Sequence, residues 1–436
     1  MKRMLYGENL SVNEAHHLMI GRHDAVALAR EFGTPLYVLD EDQMRSNCRR
    51  YRQALARSYE GEALALFASK ALCTLHTARV AAEEGLGADA VSGGEVYTLH
   101  KAGFPMEKVF FHGNNKTRDE IALALDCGVG YFVVDNAEEL IAVDQEAGKR
   151  GKVQPILFRI KPGVDCHTHE YIKTGQIDSK FGVALETGEA LEIHRVAAKL
   201  RHVRVEGVHC HIGSQIFEIE PFCEALRRML HLMQTLRQEL GMETRILNLG
   251  GGFGIRYEQR DDPPGLDAYM QRIVATLKEE AARLALPLPT LIFEPGRAIV
   301  GDAGVTLYTV GNVKRIPGVR TYVAVDGGMA DNPRYVLYGA RHPALVANHA
   351  DSAPAGPGTI AGKCCESGDL ICEDVPLSPV QAGDTLAVLV TGAYNYSMAS
   401  NYNRLPRPAM VALRGDEKKI IVRRETYEDI IRNDVL

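Results

Sequence analysis

The run Ala63-Leu-Ala-Leu-Phe-Ala-Ser-Lys-Ala71 ends an apolar stretch abruptly in one lysine. The six uncharged residues before Ser69 read as a buried strand. Lys70 then sits where that strand leaves the core. An amine held there can be partly desolvated, which lowers its pKa and makes it a nucleophile toward carbonyls. An ordinary strand-end lysine snorkels to solvent instead, so the reading depends on what accompanies it.

Two further stretches do. Leu249-Gly-Gly-Gly-Phe-Gly254 puts Gly250, Gly251 and Gly252 at the end of a strand, where each glycine weakens the strand. They let backbone N–H groups approach an anion closely, phosphate being the usual one. Glu294-Pro-Gly-Arg297 adds a carboxylate, a second glycine turn at Gly296 and a guanidinium. A strand-end lysine, a phosphate cradle and a buried carboxylate together meet the needs of pyridoxal phosphate: a Schiff-base amine, a phosphate cup and an acidic partner for the ring nitrogen. The glycine run grazes a dinucleotide G-x-G-x-x-G pattern but sits late in the chain without the expected register, so no nicotinamide site is expected. His209-Cys-His211 and Cys166-His-Thr-His169 invite a zinc reading, because His209 and His211 would share a strand face. No clean third and fourth ligands follow at zinc-site spacing there, nor around Cys364-Cys365 and Cys372, and no metal is expected.

These residues need elements to hold them. From Gly61 onward, candidate strands at Ala63–Ala68, Ala88–Val91, Val109–His112, Tyr131–Val134, Pro155–Ile160, Val205–His211, Ile246–Leu249 and Thr290–Phe293 alternate with helical patterns. Among the helices are Leu75–Glu84, Arg118–Asp126 and Pro221–Gly241, the last with a clear i, i+3, i+4, i+7 apolar stripe. Eight strand–helix units are the number that closes a parallel (β/α)8 barrel, a TIM-like α/β fold, in preference to a doubly wound open sheet with edges. The strand ends carry Lys70, Asp89, Ser92, His112, Asp135, Arg159, His211, the glycine run and Glu294. In barrels of this kind that is where active sites lie. After Arg297 the rhythm turns to short strands divided by Gly, Pro and Asp, which reads as a C-terminal antiparallel β domain. Arg341–Gly358 reads as a surface loop within it. The expected domains are a cofactor-binding barrel over 38–302 and a β domain over 303–436, completed by residues 1–37.

With 436 residues, a formal net charge of −6 and both signs interspersed, the chain gives no sign of a nucleic-acid partner. No stretch approaches a membrane span, and the N-terminus lacks a signal-peptide core. Nine scattered cysteines suggest reduced thiols in a cytoplasmic protein.

Eight motifs occur in order: Phe67-Ala-Ser-Lys-Ala71, Val91-Ser-Gly-Gly-Glu95, Phe111-His-Gly-Asn114, His209-Cys-His-Ile-Gly-Ser-Gln215, Leu249–Gly254, Glu294-Pro-Gly-Arg297, Gly362-Lys-Cys-Cys-Glu-Ser-Gly-Asp369 and Gly392-Ala-Tyr394. Together, from about Thr34 to Ile430, they closely resemble the diaminopimelate decarboxylases, of the barrel-type (fold type III) pyridoxal phosphate-dependent decarboxylases. The resemblance implies that Lys70 holds the cofactor as a Schiff base, His211 stacks on its ring, Glu294 binds the ring nitrogen and Arg159 lies near the phenolic oxygen, with Asp89 also at the cofactor. It implies that Ser214, Gly250, Gly251, Gly252, the Gly296–Arg297 backbone and Tyr394 surround the phosphate. Arg297, Arg334, Tyr338 and Tyr394 would meet the substrate, Glu366 its distal ammonium, and Cys365 would be the proton donor. In the family, Cys365 and Glu366 reach the neighbouring subunit's site, which implies a homodimer with shared active sites. One departure stands out: Tyr335 follows Arg334, where the family usually has proline.

The activity implied is decarboxylation of meso-2,6-diaminopimelate to L-lysine. A decarboxylase of ornithine or arginine would share the cofactor residues but have no use for two distal arginines. An alanine-type racemase would place an arginine, not Glu294, at the ring nitrogen. A non-catalytic regulator would be expected to have lost Lys70 or Cys365. The loop Val164–Lys180, with Gly175 and Gly182 near its far end, reads as a candidate lid.

Overall fold

The computed structural model describes residues 7–164 and 179–436. The chain forms two compact units. One comprises Cys48–Gly254 and Asp262–Gly296; the other gathers the chain up to Asn47 with Ile255–Asp261 and Arg297–Leu436.

The first unit is a closed barrel. Its strands are β1 (Ala63–Ala68), β2 (Gly87–Ala90), β3 (Val109–Phe111), β4 (Tyr131–Val134), β5 (Gln154–Lys161), β6 (Val203–His209), β7 (Ile246–Asn248) and β8 (Thr290–Phe293). Each pairs in parallel with the next, and β8 returns to β1 through Leu291↔Ala63 to Phe293↔Ala65. The eight expected strands are all present, with ends moved by one or two residues, as fraying and twist commonly dictate. Parallel strands covered on both faces need no polar alternation, which is why β1 is apolar throughout. Leu66, Phe110, Val133, Leu157, Ile246 and Ile292 form a core cluster within the barrel unit. Phe110 stacks on Tyr131 with ring centroids 4.4 Å apart.

Helices follow the strands, and their first turns are closed by polar residues just past the strand ends. The side chains of Thr74, Ser92, Thr117 and Asn136 each accept a hydrogen bond from a backbone N–H three residues on. This satisfies donors that a helix start leaves without partners. Ser92, read as a polar strand end, is thus a helix cap. The helix Glu220–Leu240 buries the predicted stripe Phe222, Ala225, Leu226, Met229, Leu230, Met233 and Leu236.

The second unit is built on the long strand Gly304–Ile316. It pairs antiparallel with Arg320–Val325, Thr385–Leu389 and Leu36–Asp40. The sheet is antiparallel in most pairings, with two exceptions: Leu36–Asp40 runs parallel to Ala409–Arg414, and Arg320–Val325 runs parallel to Gly356–Ala361. Arg341–Gly358 is not only a surface loop. Ala344–Val346 is a strand paired with Thr385–Leu389, since Val346 buries its side chain in the core. Leu370–Leu377 is a further strand, paired irregularly with Gly356–Ala361. Its charged Glu373 and Asp374 and its Pro376 hide the alternation that would announce it. The core on one side joins Leu36, Val38, Val305, Leu307, Leu389 and Val411, and fully burying each such aliphatic side chain contributes about 1.5–3 kcal/mol.

Candidate active site

At the carboxyl ends of the barrel strands lies a group of buried polar side chains. Glu294 follows β8 and is buried. Its Oε1 accepts from Asn248 Nδ2 at 2.8 Å, and His112 Nε2 lies 2.8 Å from the same oxygen, off the line of a hydrogen bond. Its Oε2 receives His209 Nε2 at 3.3 Å. Burial alone would push this carboxyl up, but the imidazoles of His112 and His209 more than reverse it and hold Glu294 well below the usual carboxylate range. Burial pushes His209 itself down to about 4, so its ring is neutral at pH 7 and serves as an N–H donor.

Asp89, on β2, has the opposite fate. Burial raises its pKa; Lys70 pulls against that shift and Glu294 adds to it. One carboxyl is therefore held as an anion and the other is biased toward its acid form, a separation that suits acid–base or cofactor chemistry. Asp89 Oδ1 is buried without a hydrogen-bond partner. Lys70 stands on a single tight turn, Ser69–Ala71, directly after β1. The expected desolvation is not found there: the residue is exposed, because the turn carries it beyond the buried end of the strand. Glu95 was not singled out by the sequence reading. It accepts the Val91 amide at 2.7 Å, and burial pushes it up to about 7, with Asp89 reinforcing the shift and Lys70 opposing it.

The glycine run after β7 is shaped by its neighbours. A Cβ on Gly251 would stand 2.2 Å from the Glu294 carbonyl oxygen, and one on Gly250, at φ +70°, would stand 2.6 Å from that of Cys210. Only glycine fits, which leaves the backbone bare toward a ligand. The Gly250 amide donates to Asn248 Oδ1 at 2.9 Å and the Gly251 amide to His211 Nδ1 at 3.2 Å. His211 lies two residues past β6. With Nδ1 accepting, its neutral ring carries the proton on Nε2, and burial holds its pKa well down. Arg159, on β5, lies with its guanidinium 4.2 Å from the centroid of the Phe181 ring. Asp135 accepts the Gly182 amide at 2.8 Å, and Ser214 lies in the loop after β6. A bare glycine cradle, an orphaned carboxyl oxygen and an anionic glutamate fit pyridoxal phosphate.

In the β unit, two arginines share a cluster of tyrosines. Arg297 Nη1 donates to the Tyr257 hydroxyl at 2.7 Å, and its guanidinium is 5.0 Å from the Tyr394 ring centroid. Arg334 is 5.4 Å from that same ring and 5.3 Å from the ring of Tyr338. Both arginines are buried, and Arg334 makes no ion pair among the described residues. Burial lowers the Arg334 pKa, and the like charge of Arg297 lowers it further. Such a pair is poised for an anion, carboxylate above all. Tyr257 is a member that the sequence reading missed, since nothing local marks it. Cys365 and Glu366 are both exposed, on the turn between Ala361 and Leu370.

His209 and His211 engage different partners: His209 Nε2 lies against Glu294 Oε2, and His211 Nδ1 accepts the Gly251 amide. His112, His209 and Glu294 place ligand-capable atoms within 4.8 Å of one another. Cys166, His167 and His169, and most of the Val164–Lys180 loop, lie outside the described residues. Asn248 was missed as well; its only signal was an amide at the end of a buried strand.

Residues 41–301 match the pyridoxal binding domain of the pyridoxal-dependent decarboxylases. Over 423 residues the chain is 47% identical to the diaminopimelate decarboxylase of Bacillus subtilis (strain 168), covering 97% of this chain and 96% of that one. It is 45% identical to the diaminopimelate decarboxylase of Bacillus methanolicus, covering 97% and 98%. The solved diaminopimelate decarboxylase from M. jannaschii in co-complex with L-lysine superposes with a TM-score of 0.92 at 37% identity, covering 99% of each chain.

Proposed function

Because the chain belongs to the pyridoxal-dependent decarboxylases, and within them to the diaminopimelate decarboxylases, we propose that its chemistry runs on the residues described above. The protein converts meso-2,6-diaminopimelate to L-lysine and carbon dioxide, the last step of lysine biosynthesis, with pyridoxal phosphate as cofactor. When bound, that group supplies an electron sink for the pair left behind as the α-carboxylate departs.

The chain's own residues supply the rest. The Lys70 amine, on the turn at the end of β1, would hold the cofactor's carbonyl carbon and yield that place to the substrate amine. Glu294, kept ionised by its neighbours, would partner the ring nitrogen and favour its protonated form, with His211, Asp89 and Arg159 as the other side chains that would hold the ring. Gly250, Gly251 and Gly252, the Ser214 hydroxyl, the Gly296–Arg297 backbone and Tyr394 would surround the phosphate. Cys365 would hold the proton that Cα takes up, acting as a general acid. Arg297, Arg334 and Tyr338, together with Tyr394, bind the substrate's distal carboxylate end, and Glu366 its distal ammonium. We place Cys365 and Glu366 in the site of a neighbouring subunit, a reading supported by the exposure of both. The expected compartment is the cytoplasm. The described cysteines are all free, and no helix among the described residues is long and apolar enough to cross a membrane.

The observation that carries the substrate reading is the buried pair Arg297 and Arg334 around Tyr394, for which an ornithine or arginine decarboxylase would have no use. The test is carbon dioxide and amine release by purified protein with pyridoxal phosphate. The substrates are meso-, LL- and DD-diaminopimelate, ornithine, arginine and lysine, with Lys70→Ala as control. Lysine from the meso isomer alone, and nothing from the control, is expected. Turnover of ornithine or arginine would overturn the substrate assignment while leaving the cofactor reading intact.

A further inference from the structure

Glu294 is surrounded by more hydrogen-bonding capacity than a buried carboxylate needs for its own stability. Asn248 Nδ2 and His112 Nε2 both lie 2.8 Å from Oε1, whereas Oε2 has only the longer 3.3 Å contact with His209. The two oxygens are therefore unequal: Oε1 is occupied, and Oε2 keeps acceptor capacity. The two imidazoles lie edge to face with centroids 4.8 Å apart, so each fixes the orientation of the other. All four side chains are buried. An anion left in such a place without donors would take up a proton instead.

We propose that His112 and His209, with Asn248, are positioning residues for the reaction: they keep Glu294 ionised in a dry site and turn Oε2 toward the cofactor's ring nitrogen. The proposal rests on the reading of Glu294 as the partner of that nitrogen. The histidines do not touch the reacting atoms; they act through the carboxylate. Loss of either would weaken the hold on the ring and change its electronic character, even where the fold and the Lys70 attachment survive.

The experiment is a double-mutant cycle read on the cofactor rather than on turnover. Protein stripped of cofactor is titrated with pyridoxal phosphate, and both the dissociation constant and the wavelength of the bound-cofactor absorption band are recorded. The variants are Glu294→Gln, His209→Asn and His112→Asn, alone and each histidine variant combined with Glu294→Gln. Each histidine variant is expected to weaken cofactor binding about tenfold, within the usual range of coupling between contacting polar groups, and to move the band in the direction set by Glu294→Gln. In the Glu294→Gln background, the same histidine change should cost less than about threefold and leave the band where it is. A merely structural role would lower the melting temperature and leave the band unmoved in every background, with losses that add. That result overturns the proposal. If Glu294→Gln alone leaves affinity and band unchanged, the ring-nitrogen reading falls and the proposal with it. Stoichiometric zinc uptake by the stripped protein, abolished by His112→Asn, would make the trio an ion site and also overturn it. Should a histidine variant fail to fold, Asn248→Ala against Glu294→Gln runs the same cycle on the amide that donates to Oε1.

Discussion

At Asp331 the β unit encloses a carboxyl that accepts the Gly328 amide at 3.0 and 3.1 Å and the Tyr308 hydroxyl at 3.3 and 3.4 Å. Burial outweighs these donors and pushes its pKa up to about 7 from an ordinary 3.8. A carboxyl raised in the folded state holds its proton there while the unfolded chain has already lost it. The stabilisation is complete below 3.8 and is lost as pH rises toward 7, at about 1.4 kcal/mol for each pH unit inside that window. Chemical denaturation between pH 5 and pH 8 should show the native protein losing stability relative to Asp331→Asn as pH rises. A constant difference across that range would show that Asp331 does not titrate there. Single residues were legible in the sequence wherever type and position sufficed. Lys70, Asp89 and Glu294 announce themselves as charges closing apolar runs. Asn248 and Tyr257 do not, because what makes them matter is a partner 46 and 40 residues away, which no local pattern encodes.

Among the elements, the turn between Gly356–Ala361 and Leu370–Leu377 carries Cys365 and Glu366, and it is tied down from several sides. Asp369 accepts the Met329 amide at 2.6 Å and the Cys364 amide at 2.7 Å, while the Cys365 amide donates to Asn403 Oδ1 at 2.6 Å. Asp369 is itself buried, so its removal leaves two amides unmet at about 1–3 kcal/mol each. Asp369→Ala should therefore lower the melting temperature and cut decarboxylation more than tenfold while the cofactor's absorption stays native. An altered absorption band would place the damage in the barrel instead. The motif was visible as a string of residues, but the strand that follows it was not, since Glu373 serves Arg320 and the Tyr335 hydroxyl at the surface. Tyr335 thus fastens the short helix Arg334–Tyr338 to the neighbouring strand through its side chain. The barrel strands and the long amphipathic helix were readable because burial there imposes a period or a continuous apolar run. Short strands in the β unit bury too few residues to impose either.

For the whole molecule, the proposed sharing of active sites between two subunits predicts that two dead variants can rescue one another. Lys70→Ala and Cys365→Ala, mixed under conditions that exchange subunits, should recover about a quarter of native activity from random reassortment of a two-fold dimer. No recovery despite demonstrated exchange would mean that each chain supplies both residues to its own site. The count of eight strand–helix units made the barrel legible from sequence, whereas the β unit's make-up depended on pairings between distant segments. The clearest is Leu36–Asp40, buried along its whole length, whose two neighbours in the sheet are Gly304–Leu307 and Ala409–Leu413. On the ribosome that strand emerges long before its partners, with the whole of β1 to β8 between it and Gly304. At roughly 5–20 residues per second it waits on the order of tens of seconds with its backbone unpaired while the whole barrel is synthesised. A nascent chain of this kind carries an adhesive apolar tag while the barrel is being made. Its yield in the cell then depends on how well that tag is shielded by holding factors until its partner strands arrive.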